Sequence, residues 1–73
     1  MSPIIAFSQG QKVKIKAIKS GKGLQKRLEA MGLGLNKVVE IVKTPPGPII
    51  VKVENSKIAL GFGEASKIYG EPV

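Results

Sequence analysis

Leu24, Leu28 and Met31 recur at i, i+4 and i+7 within LQKRLEAMGLGL, residues 24–35, and no other stretch of the chain carries a helical period so clearly. Residues at that spacing lie along one side of an α-helix. Gln25, Lys26, Arg27 and Glu29 fill the opposite side, and Ala30 is a strong helix former. Gly32 follows the stripe, where helices commonly end on a residue with positive φ. The pattern predicts a helix of about two to three turns. A helix that short is not stable alone in water. It must lie on another element, and the sequence on either side reads as strand.

Gln11 to Ile18 alternates, with Val13, Ile15 and Ala17 on one side and Lys12, Lys14 and Lys16 on the other. That is the period of a half-buried strand. Lys37 to Lys43 is rich in β-branched residues, and Ile49 to Glu54 directs Ile49, Val51 and Val53 to one face. Lys57 to Leu60 pairs back after a tight turn at Asn55-Ser56, sending Ile58 and Leu60 inward. Pro3 to Phe7 completes the set as an edge strand. Pro45-Pro46-Gly47-Pro48 is a loop, because proline cannot donate to a ladder. Gly61-Phe62-Gly63 interrupts the last strand, with Phe62 expected as an anchor over one end of the fold. Glu64 to Ile68 allows one helical turn, and Tyr69 to Val73 closes the chain. About five short strands and one helix in 73 residues predict a mainly β single domain. Closure removes exposed edges, so a small, partly closed antiparallel barrel is expected. The helix after the first long strand would plug it, with Leu24, Leu28 and Met31 against Val13, Ile15, Val39 and Ile41.

The missing residue types narrow the chemistry. The chain has no Cys and no His, and its sequence contains no Asp. Disulfides, thiolate and imidazole metal ligands, the usual histidine general base and the usual catalytic triads are absent. The serines fall in turns and termini, where serine is ordinary. Gly21-Lys22-Gly23 is too short for a phosphate-binding loop, and Gly61-x-Gly63 lacks the third glycine of a dinucleotide fingerprint. The expectation is a protein that is not an enzyme and carries no cofactor. For a transition metal such as iron, the side-chain donors left are Glu29, Glu40, Glu54, Glu64, Glu71 and two methionines, without ligand spacing. No metal ligand is assigned.

The charge is concentrated. Lys12, Lys14, Lys16, Lys19, Lys22, Lys26 and Arg27 run without an acid among them, while the later lysines and the glutamates cancel, leaving the net +7 in residues 12–27. Such a block suits an anionic partner, or serves as a solvated face. Lys12, Lys14, Lys26 and Arg27 are the candidate partner-binding charges. Val38 and Val42 lie on the second face of their strand, and Ile50 opposite Ile49, Val51 and Val53. If the three adjoin outside the barrel they form an exposed apolar patch, of the kind that marks a partner site. Otherwise the helix or the N-terminal lead covers them. Nucleic acid is the rival partner, since small basic barrels bind phosphate backbones. With only Phe7, Phe62 and Tyr69 as aromatics, none among the basic residues, it lacks a stacking platform. Met1 to Phe7 has no basic lead-in, and no stretch has the length of a membrane span. The expected location is the cytoplasm, without membrane insertion. Weak self-association is the only oligomerisation expected.

Three motifs carry a resemblance. RLEAMGL at Arg27 to Leu33, PPGP at Pro45 to Pro48 and KIALGFGEASKIY at Lys57 to Tyr69 resemble the FeoA family, the small ferrous iron transport proteins A. The likeness runs from Gln11 to Tyr69. It implies an SH3-like barrel and an accessory role in ferrous iron uptake, exerted by binding the cytoplasmic GTPase part of the membrane transporter FeoB. The same barrel forms the C-terminal domain of DtxR-type iron-dependent repressors, so fold alone does not choose between them. Where the family usually has Pro-Gly, this chain has Leu35-Asn36. Asparagine tolerates a left-handed backbone, so the turn is expected to survive.

Overall fold

In the computed structural model, which describes residues 1–73, the strands are β1 (Ser2–Pro3), β2 (Lys12–Ile18), β3 (Val38–Lys43), β4 (Ile49–Val53), β5 (Ser56–Leu60) and β6 (Ile68–Pro72). Helix α1 (Lys22–Ala30) follows β2, and the single turn α2 (Phe62–Ala65) follows β5. All pairings are antiparallel, in the order β1-β6-β2-β3-β4-β5. No ladder joins the two ends of this order. Between them, a 3-10 turn at Ile4–Ala6 contacts α2 and buries Ile4.

The alternation of β2 acts as its period dictates for most of its length. Val13 and Ile15 are buried while Lys12 and Lys16 face solvent. The register against β6 then shifts between Ile15 and Ala17. One extra residue reverses the side on which every later side chain emerges. Ile18 therefore takes the inward position expected of Ala17, which is only half-buried. On β4, Ile49, Val51 and Val53 are all buried, as their spacing requires. The turn before β5 sits one residue earlier than expected, on Glu54-Asn55, because Val53 pairs with Ser56.

Two segments depart further from the sequence reading. Pro3 to Phe7 is not one edge strand: only Ser2–Pro3 pairs with β6, and the chain then coils into the 3-10 turn that sinks Ile4. The closing segment Tyr69 to Val73 belongs to a sixth strand. β6 pairs on one side with β1 and on the other with β2, so it lies inside the sheet. Gly70, Glu71 and Pro72 have low strand propensity. Here two flanking ladders supply what propensity does not.

Helix α1 ends by a Schellman turn. The Leu33 N–H donates to the Leu28 carbonyl at 2.8 Å and the Gly32 N–H to the Glu29 carbonyl at 3.0 Å, with Gly32 at φ 88°. The left-handed residue swings the chain back beneath the helix. Leu33 therefore meets the core beside Leu28, and both are buried. Met31, expected in the buried stripe, is the helix C-cap and stays 36% exposed at the rim. Leu24 is half-buried against the core, which includes Val13, Ile15, Val39 and Ile41. A Cβ on Gly32 would lie 3.6 Å from Val53 Cγ1, an ordinary contact, so space is no obstacle there. Conformation is: Gly32→Ala is expected to lower stability by about 1 kcal/mol, read as a drop in the urea midpoint. An unchanged midpoint would mean the left-handed cap contributes nothing.

A candidate docking surface on the outer sheet face

The outer face of the sheet can be built row by row from the register. Lys12 of β2 lies opposite Glu40 of β3, Glu40 opposite Lys52 of β4, and Lys52 opposite Lys57 of β5. One step along, Lys14 lies between Glu71 of β6 and Val38 of β3. The acid-free run in the sequence is therefore not an acid-free surface. Glu40 and Glu71 come from remote segments to stand beside Lys12 and Lys14. Neither makes an ion pair within 4.0 Å, and the one such pair in the molecule joins Arg27 to Glu64. A shallow depression of about 260 Å³ is lined by Lys12, Val38, Glu40, Lys52 and Glu54, among others. It brings two of the candidate residues, Lys12 and Val38, to one place.

Val38 is 43% exposed, while Val42 and Ile50 are half-buried. The ladder between β3 and β4 shifts between Ile41 and Lys43, leaving Val42 as the extra residue and Lys43 opposite Ile50. Glu40 and Lys52 occupy the row between Val38 and Ile50. The three apolar residues therefore form no single patch. Val42 and Ile50 lie at one end of the face, and Val38 lies beside Lys14 at the other.

Lys26 and Arg27 belong to a different surface, the exposed side of α1. Arg27 crosses to α2 and binds the Glu64 carboxylate, so its charge is matched within the protein. Glu64 also accepts from the Gly61 N–H through Oε1 at 3.3 Å, closing the N-terminus of α2. Sequence spacing could not reveal this pair, since 37 residues separate the partners.

A second cleft, of about 270 Å³, opens on the other flank of α1 between Lys16, Ala17, Ile18, Gln25, Glu29 and Leu35. Gln25 holds its wall together by donating from Nε2 to the carbonyls of Ile18 at 3.1 Å and Ser20 at 3.2 Å. Here β3 no longer runs beside β2, and the side chain supplies a hydrogen bond that a neighbouring strand would otherwise make. Asn36 adopts φ 68°, the left-handed conformation expected where asparagine replaces glycine, and leaves Leu35 57% exposed beside this cleft. No three His, Cys, Asp or Glu side chains are grouped so as to hold a metal ion. No helix is long and apolar enough to cross a membrane.

The expected aromatic anchor is absent. Phe62 projects from α2 and is 60% exposed. Phe7 packs against the core, and the Tyr69 ring lies 4.7 Å from the Lys19 ammonium.

Comparison with known proteins agrees with this fold. A curated relative from Methanocaldococcus jannaschii, named "Putative Fe(2+) transport protein A", is 34% identical over 71 residues, covering 97% of this chain and 87% of the relative. A crystal structure of an iron uptake regulatory protein (FeoA) superposes with a TM-score of 0.90 at 26% identity, covering 97% of this chain and 96% of that one. The solution structure of iron(II) transport protein A from Clostridium thermocellum gives a TM-score of 0.87 at 30% identity, with 97% of this chain matching 45% of that longer one. A zinc complex of Stenotrophomonas maltophilia FeoA, described as an SH3 domain protein, shares the fold with a TM-score of 0.79 at 21% identity, over 97% of this chain and 89% of that one. With its SH3-like fold and the FeoA domain matched over residues 3–72, the chain belongs to the FeoA family of ferrous iron transport proteins.

Proposed function

We propose that this chain is a single-domain cytoplasmic accessory protein of ferrous iron uptake that docks on the cytoplasmic GTPase region of a FeoB-type transporter, without catalysing a reaction itself. The observation that carries this reading is the charge on a member of an iron-transport family. The net charge is +7, and no lysine is engaged in an ion pair. A surface of that kind steers an acidic partner into encounter and orients it. Lys12 and Lys14, with Val38 beside them, are the docking residues on the outer sheet face, and Lys26 contributes from α1. Val42 and Ile50 add apolar area at the far end of the sheet. The functional residues are surface charges and apolar contacts, with no nucleophile–base pair among them, so the role is recognition.

The expected result of Lys12→Glu with Lys14→Glu, which takes the net charge from +7 to +3, is roughly tenfold or greater weakening of binding to the FeoB cytoplasmic region at low salt. Most of the loss should appear in the association rate. Calorimetric titration of the double variant measures the affinity, and stopped-flow mixing measures the association rate. Unchanged affinity would remove this face from the mechanism. A parallel salt titration on duplex and single-stranded DNA addresses the rival partner, for which sub-micromolar binding at physiological salt would be required.

A further inference from the structure

Phe62 is the one aromatic ring this protein leaves largely in water, at 60% exposure, while Phe7 and Tyr69 are both partly covered. Its surroundings hold it there. Ala65, on the same turn, is fully buried and seats α2 on the core. Glu64 ties the turn on two sides, to the Gly61 N–H and to Arg27 of α1. The Ser66 hydroxyl donates to the Gly63 carbonyl at 2.9 Å and fastens the far end. The ring is thus carried on a braced platform.

The flanking glycines leave room around it. A Cβ at Gly63 would meet no atom within 4 Å, and one at Gly61 would meet only the Glu64 carboxylate. A partner surface could close on both sides of the ring without displacing a side chain. Across the Arg27–Glu64 pair lies α1. Met31 follows Arg27 by one helical turn and is 36% exposed, and Lys22 and Lys26 point outward from the same helix. Since Glu64 and Arg27 satisfy each other, Lys26, which adjoins Arg27 on the exposed side of α1, supplies free charge there, while Lys22 and the exposed Glu29 lie together on the flank turned away from Arg27. An apolar knob with an unpaired cation near it suits an interface whose affinity is concentrated in a buried aromatic residue.

We infer that Phe62 is the anchor of a second docking face, formed by α1 and α2, which inserts into an apolar pocket bordered by acidic residues on the partner. This rests on the functional reading above, and the occupant is the cytoplasmic region of the FeoB-type transporter. Charge complementarity selects it: a net +7 chain opposes stable contact with a second copy of itself, and the unpaired Lys26 favours an acidic border.

The test is a calorimetric titration of wild type, Phe62→Ala, Phe62→Tyr and Lys26→Glu against that region, with thermal melts of each. Phe62→Ala should weaken binding by roughly tenfold or more, at an unchanged melting temperature, because the ring supports no core contact. Phe62→Tyr should bind nearly as wild type, and Lys26→Glu should weaken binding mainly at low salt. Wild-type affinity in Phe62→Ala overturns the anchor while leaving the functional reading intact. Failure of the wild type itself to bind overturns the functional reading and the anchor with it. A large fall in melting temperature for Phe62→Ala would make the ring structural and overturn the inference. So would retained transporter binding in a variant that instead loses self-association or affinity for vesicles of anionic phospholipid.

Discussion

Replacing Leu28 by alanine is expected to remove about 2–5 kcal/mol of stability. Leu28 has no exposed surface and belongs to a core of only 14 buried residues. It is also the contact through which the Schellman turn closes, with Leu33 folded back beside it. Truncation leaves a cavity at the one residue of the helix that is fully buried. A chain of 73 residues has a total stability of about 4–11 kcal/mol at ordinary densities. The loss is then a large share of the whole and is expected to leave part of the population unfolded at 37 °C. Urea denaturation followed by circular dichroism measures it. A change below about 1 kcal/mol would show that α1 is not the lid of this core.

Gly70→Ala is expected to cost about 3 kcal/mol, for the opposite reason. Gly70 is buried on β6, between β1 and β2. A Cβ there would fall 2.5 Å from Val13 Cγ1 and 2.6 Å from the Lys14 carbonyl oxygen. The valine methyl could rotate away, but the carbonyl is backbone of the adjacent strand. Relief would require β2 and β6 to part where their register already shifts. Gly63→Ala is the control, because nothing lies within 4 Å of its Cβ, and it should melt close to wild type. Equal melting of the two variants would contradict the close approach of β6 to β2.

Gly70 also shows why part of this fold could not be read from the sequence. Gly70, Glu71 and Pro72 lack strand propensity, yet β6 pairs on both sides. A central position between two ladders is a tertiary fact, and it overrides propensity. Elements with a strong internal period were legible. The inward faces of β2 and β4, the place of α1 and the left-handed Gly32 all followed from local spacing. Local spacing failed where one extra residue changed the phase, at Lys16 and again at Val42, because a bulge depends on the strand opposite. It failed again at Met31 and Leu33, which exchange roles because the chain reverses at Gly32.

For the candidate surface, the residue types were legible and their neighbours were not. The lysine row does lie on the outer face, but Glu40 and Glu71 stand across from Lys12 and Lys14. Val38 is separated from Ile50 by a charged row. Phe62, expected to cover an open end, faces solvent because Ala65 is the residue of α2 that reaches the core. For the lysines and Val38 the missing information was the register, which no single strand contains.

The most direct test of the proposed docking is calorimetric titration of the purified wild-type protein into the isolated cytoplasmic region of a FeoB-type transporter, repeated across a range of salt concentrations. Docking through a basic surface predicts saturable binding that weakens steadily as salt rises. No binding at low salt, with both proteins folded, would contradict it.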